Sequence, residues 1–160
     1  MQEWLQPRAS SPPAEGSSMF FENEPLRFQC TECGRCCSGG GDYHVFLKRD
    51  EAEAIRALLG LSRDWFRRRY LRRLGGGELT VALRADGRCS FLDAKGRCRV
   101  YVARPTQCRT YPFWPEVLRS RGTWRAEAGR CEGIDRGAAV PLAKVRAALL
   151  AQRAYESGPG

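Results

Sequence analysis

Four cysteines fall within the eight residues Cys30 to Cys37, CTECGRCC, and the last two are adjacent. A thiolate is soft, charged and polarizable, so it binds zinc or iron well, and two-residue gaps let successive thiolates point at one centre. Cys30, Cys33 and one of the next two cysteines therefore supply three converging sulfurs. Adjacent side chains diverge, so only one of Cys36 and Cys37 continues the spacing, and the other is free for a second ion or a bridging position. Cys89, Cys98, Cys108 and Cys131 are spread over the second half of the chain. Eight ligands divide into two four-thiolate sites, or into one cluster with spare ligands.

The compartment decides between metal and disulfide. A secretory signal needs a basic start and an apolar run of roughly 7 to 15 residues, and the opening MQEWLQPRASSPPAEGSS holds no such run. The sequence is therefore read as cytoplasmic, where clustered thiols serve as metal ligands more readily than as disulfides. Vicinal cysteines also bridge each other only with strain. Iron-sulfur chemistry fits the three-cysteine run, which resembles the start of ferredoxin segments although no Cys-Pro closes it. Zinc fits as well, because four thiolates in a tetrahedron staple a domain that is poor in core. Spacing does not separate the two metals.

The elements that must position these thiols are short. At 160 residues, with 17 glycines and 9 prolines, the chain holds one modest core and many turns. Residues 1–24 are rich in Ser, Pro and Glu and read as a disordered tail. The cysteine-cluster domain spans 25–135, and 136–160 form a C-terminal packing helix with a short tail. Gly39 to Gly41 let backbone wrap closely, and Asp42 to Leu47 follow as a short strand.

Asp50 caps a helix over 51–59, faced by Ala54, Ile55, Leu58 and Leu59 and stopped by Gly60. Ser62 caps a second helix with Phe66, Tyr70 and Leu74 as its stripe, ended by Gly75 to Gly77. Leu79, Val81 and Leu83 alternate, Asp86-Gly87 turns the chain into Cys89, and a turn at Ala94 to Gly96 leads into Cys98. The prolines around 105 and 112–115 put Cys108 in a constrained loop. Pro141 opens a last helix to about Tyr155, faced by Leu142, Val145 and Leu149. The fold class is a small irregular α+β domain, with short hairpins and three to four helices around a cysteine-lined metal centre.

The formal net charge is +9, and only Lys48, Lys95 and Lys144 are lysines. Basic character suits a polyanion, nucleic acid included. In WFRRRYLRRL, Arg68, Arg69, Arg72 and Arg73 fall away from the apolar stripe and Arg67 lies beside it, which reads first as a solvated face and second as a partner surface. The partner is otherwise an unknown protein or small molecule. No stretch reaches the roughly 20 apolar residues of a membrane span. No Ser-His-Asp arrangement or carboxylate pair supports hydrolysis.

The ordered set Cys30-x-x-Cys-x-x-Cys-Cys37, Cys89-Ser-Phe-Leu, Cys98-Arg-Val-Tyr through Cys108-Arg-Thr-Tyr-Pro-Phe, and Cys131-Glu-Gly resembles the YkgJ-type cysteine-cluster proteins over about residues 27–135. That family is described as a zinc- or iron-chelating domain, and flagellin lysine N-methylases share its cluster. Members are labelled iron-sulfur proteins or oxidoreductases. Carried over by position, the resemblance implies as metal ligands Cys30, Cys33, Cys36, Cys37, Cys89, Cys98, Cys108 and Cys131. A methylase-related activity would need a methyl-donor site, and Gly75 to Gly77 lack the strand-loop-helix setting of a nucleotide fingerprint.

Around the thiolates, the guanidinium groups of Arg104 and Arg109 can offset negative charge, or Arg104 can fix its Arg-Pro turn through a carboxylate. Tyr101, Tyr111, Phe113 and Trp114 are read first as packed core side chains and second as walls that keep water from the site. His44, the only histidine, is read as a packed or exposed side chain before it is read as a ligand.

Overall fold

The computed structural model describes residues 19–38 and 44–157, as six α-helices and two small antiparallel sheets among those residues. The fold is a mixed α+β domain, as expected, with more helices than three or four because several are single turns. The elements are α1 (Phe20–Asn23), β1 (Arg27–Phe28), α2 (Arg49–Leu58), α3 (Arg63–Tyr70), β2 (Leu71–Arg73) and β3 (Leu79–Val81). They continue with α4 (Thr106–Thr110), α5 (Arg121–Glu127), β4 (Ile134–Ala139) and α6 (Leu142–Ser157). Strand β1 pairs with β4, and β2 with β3.

Two apolar clusters hold these pieces together. In the first, Ile55 of α2 and Phe66 and Tyr70 of α3 pack with Val81, Phe91, Leu92 and Val100. Phe91 stacks on Tyr70 with ring centroids 5.1 Å apart. In the second, Leu118 and Trp124, both 0% exposed, pack with Phe21, Leu26, Phe113, Val145 and Leu149. Cys89 belongs to the first cluster and Cys131 to the second.

Several elements end differently from the sequence expectation. Residues 1–18 and 39–43 lie outside the described residues, but within the expected tail Phe20–Asn23 is a helix. Its Phe21 is buried against the second cluster, so apolar burial orders the end of that segment. Helix α2 starts at Arg49 because the Glu51 carboxylate accepts from the Lys48 N–H at 3.0 Å, which places Asp50 inside the first turn. Gly60, at φ 64°, ends it as expected. Of the expected face Ile55 is buried and Leu59 half-buried, whereas Ala54 and Leu58 are exposed and Ala52 is buried in their place.

Ser62 caps α3 through the Trp65 N–H, but the helix stops at Tyr70 and Leu71–Arg73 is strand. Pairing of Leu71 with Val81 and Arg73 with Leu79 supplies cross-strand hydrogen bonds that override the helical periodicity of an arginine-rich segment. Gly75 to Gly77 are then the turn of this hairpin, closed by bonds between Leu74 and Glu78 and from Gly77 to Leu74. Of the expected strand 42–47, the described part runs beside β3, where Leu47 N donates to Leu79 O and Val81 N to Val45 O. The last helix keeps its expected face and buries Val145, Leu149 and Gln152. Strand β4 runs across residue 135, so the expected boundary there falls inside a paired strand. Among the described residues, no helix is long and apolar enough to cross a membrane.

Candidate metal centre

All eight cysteines line the same cavity, of about 390 Å³. Cys30 and Cys33 are exposed at its rim, Cys36, Cys37, Cys98 and Cys108 are half-buried, and Cys89 and Cys131 are buried. All eight are free thiols.

The loop that carries the first four is fastened at both ends. Gly34, at φ 71°, opens a 3-10 turn over Arg35–Cys37, a backbone state that costs other residues about 1–2 kcal/mol. This turn brings the sulfurs of Cys36 and Cys37 to 3.8 Å. They do not diverge as the sequence reading expected, because the tight turn folds both toward the cavity. On the other side, Gln29 N donates to Gly133 O at 3.1 Å, Thr31 donates to Glu132 at 2.7 Å, and Arg35 pairs with the same carboxylate. The Cys131-Glu132-Gly133 segment thus clamps the Cys30–Cys37 loop.

Cys89 and Cys98 arrive by one device used twice. Gly87-Arg88-Cys89 and Gly96-Arg97-Cys98 each end a tight turn, with Gly87 at φ 76° and Gly96 at φ 79°. Each cysteine forms an isolated bridge, Leu83 with Cys89 and Leu92 with Cys98. Cys89 N also donates to Cys37 O at 2.8 Å, joining this repeat to the first loop. Gly-Arg-Cys occurs four times in the sequence, at 34–36, 87–89, 96–98 and 129–131, and the two copies nine residues apart form these turns.

Cys108 lies on α4, not in a loop. A five-residue helix is not stable alone, so its neighbours hold it. The Glu51 carboxylate accepts from Thr106 N and Oγ1 at 2.6 and 2.7 Å, favourably placed at a helix start. Gln107 bonds the backbone of His44 and Phe46, and Thr110 donates to Gln152 of α6 at 2.6 Å. This explains His44: its carbonyl is used and its ring sits near Phe46, and it does not line the cavity.

Thiol chemistry in the cavity is uneven. A hydrogen bond from Cys37, and then the charge of Arg104, hold the Cys36 thiol down at about 7. A hydrogen bond from the same Cys37 lowers Cys89, while Cys37 itself is pushed well up by the two neighbours it serves. Burial raises Cys98, Cys131 and most strongly Cys108, whose sulfur is desolvated although the residue as a whole is half-buried.

Arg104 sits with its guanidinium 3.6 Å over the Tyr101 ring and donates to the Tyr101 carbonyl at 3.0 Å. It faces the thiols and, among the described residues, has no carboxylate partner, so of its two expected roles the charge-offsetting one has the geometry. Arg109 braces the Arg104 carbonyl and Thr106 while also lining the cavity. The Tyr111 hydroxyl donates to Glu127 at 2.7 Å, and burial followed by that bond raises its pKa. Arg130 and Lys144 line the cavity too, giving four cations there against the one carboxylate of Glu32. Sequence reading missed both. Arg130 precedes a cysteine, which was a signal of the kind that marked Arg109, whereas Lys144 reaches the site only through the docking of α6.

Among the described residues, no group of three or more Cys, His, Asp or Glu side chains is already closed into a ligand set. Donor type, donor number and cationic surroundings nevertheless fit a thiolate-bound metal, since all eight sulfurs border one space. Gly34 offers a test of the loop. A Cβ there would collide with the Gly96 carbonyl oxygen, whereas Gly60, with a similar φ of 64°, has open space. Gly60→Ala should cost only the backbone term, about 1–2 kcal/mol, in denaturant unfolding. Gly34→Ala should cost clearly more and lower bound metal, and equal losses in the two variants would refute the packing of this loop on the Gly96 turn.

Fold and site together define a small α+β domain built around a thiolate-rich chelating cavity. The chain belongs to the CxxCxxCC family, described as "Putative zinc- or iron-chelating domain", whose model matches residues 29–132. An uncharacterized protein of Methanocaldococcus jannaschii is 34% identical over 101 residues, covering 61% of this chain and 51% of the relative. The chain therefore spans about half the length of that relative. No solved structure matches it.

Proposed function

We propose that the chain holds an iron-sulfur cluster or iron through its eight cysteines, in a redox role within the cytoplasm. The observation that carries this reading is the presence of all eight thiols on the wall of one cavity, twice the number that one tetrahedral zinc ion uses. A cluster bound there supplies one-electron chemistry, with a potential set by hydrogen bonding and solvent exposure around its sulfurs. The residues of this chain govern both. Phe28, Phe113 and Trp114 line the cavity and exclude water, and Arg104, Arg109, Arg130 and Lys144 offset thiolate charge. Cys30 and Cys33 lie exposed at the rim, where a small-molecule or protein partner has access.

A second reading, zinc as a structural staple of an interaction module, rests on the paired Gly-Arg-Cys turns, because tight turns ending in cysteine suit tetrahedral sites. Purification without oxygen, followed by counts of iron, zinc and acid-labile sulfide and an ultraviolet-visible spectrum, separates the two. Iron with sulfide and an absorbance that bleaches on reduction is the expected result. A colourless protein with one or two zinc ions would overturn the redox reading in favour of the staple.

A further inference from the structure

A second cavity, of about 520 Å³, lies between α2, α3 and the β2–β3 hairpin, and no cysteine lines it. Arg49, Arg56, Arg63, Arg67, Arg72 and Arg73 line it, against the single carboxylate of Glu53. Like charges gathered this way repel one another unless an anion joins them. Glu53 already serves both Arg56, at 2.5 Å, and Arg63, at 3.8 Å, and Arg67 meets Asp64 only at 3.7 Å in the open.

We propose that this cleft binds a small phosphate-rich anion of nucleotide size. Guanidinium groups take phosphate oxygens two at a time, and three of these are already oriented. Arg56 is fixed by Glu53 and the Leu61 carbonyl, Arg72 by the Arg68 and Leu71 carbonyls, and Arg73 by the Gly77 carbonyl. Arg49 has no side-chain partner among the described residues and is free to engage a ligand. The volume falls in the range of about 300–1,000 Å³ typical of small-molecule sites. Half-buried Leu71 and Leu79 give a non-phosphate portion an apolar floor. Arg68 and Arg69 do not line the cleft, so the working surface is a concave pocket and not the outer arc of α3. This inference is independent of the metal reading.

The test is calorimetric titration of the full chain with sodium tripolyphosphate, with ATP, and with a single-stranded DNA dodecamer. Tripolyphosphate and ATP should each saturate at one per chain, and the doubly substituted Arg49→Gln/Arg67→Gln chain should bind both at least tenfold more weakly. The charge-matched Arg119→Gln/Arg153→Gln chain should bind as the parent does. Tighter binding of ATP assigns a nucleotide, and equal binding assigns free polyphosphate. The proposal is overturned by absence of saturation, by equal weakening in the two variants, by heat that tracks release of bound metal, or by DNA binding that tripolyphosphate does not displace.

Discussion

Cys108→Ser should release bound metal and lower stability by several kcal/mol, a substantial part of the roughly 10–16 kcal/mol with which small zinc domains hold their ion. Cys33→Ser should do the same. The two sites are chosen because their settings differ: Cys33 is exposed on the rim loop, whereas Cys108 is anchored on α4. A side chain whose only role is packing would give a loss at Cys108 and little at Cys33. Joint ligation makes the Cys33 loss disappear and the Cys108 loss shrink once the parent chain has been stripped of metal, the remainder at Cys108 being the cost of a serine hydroxyl where the thiol is desolvated. The checks are metal content per chain and denaturant unfolding with and without metal, and unchanged metal in both variants would sink the assignment.

Trp124→Ala should cost about 3–5 kcal/mol, the scale of an aromatic truncated in a packed core. Trp124 is 0% exposed, stacks on Phe113 at 6.0 Å, and donates its indole N–H to Asp135 at 2.8 Å. Its cluster also contains Cys131, but the packing that the truncation removes is apolar and does not pass through the metal. The penalty should therefore be nearly the same in loaded and stripped protein, opposite in pattern to Cys108→Ser. Trp124→Phe keeps an aromatic ring and loses the hydrogen bond, so it should cost clearly less. A Trp124→Ala loss below about 1.5 kcal/mol would remove the second cluster as an independent source of stability.

Much of the local design was legible in the chain. Gly60 stops α2, Ser62 caps α3, and Asp86-Gly87 and Lys95-Gly96 make the turns expected of them, because a φ above zero or a cap is a demand that only a few residue types meet. The end of α3 was not legible. The segment after Tyr70 reads as helix on periodicity, and it becomes β2 because β3, across the Gly75–Gly77 turn, pairs with it. The helical state of α4 was hidden for a related reason. Its five residues carry little propensity of their own and are held by Glu51, Gln152 and Trp114, partners from 4 to 55 positions away.

Residue types and near neighbours alone carry the chemistry on offer: eight soft thiols, their spacing, the turns that present several of them, and an excess of arginine. Those are properties of residue types and near neighbours, and no folding is needed to read them. Only the tertiary structure decided that Cys131 closes on the Cys30–Cys37 loop through Glu132 and Gly133, and that Lys144 reaches the same cavity. It also decided that α2 and the β2–β3 hairpin turn scattered arginines into one cleft. Each of these is a long-range juxtaposition, set by which apolar faces bury against each other, and burial depends on the whole chain, beyond the reach of any local spacing.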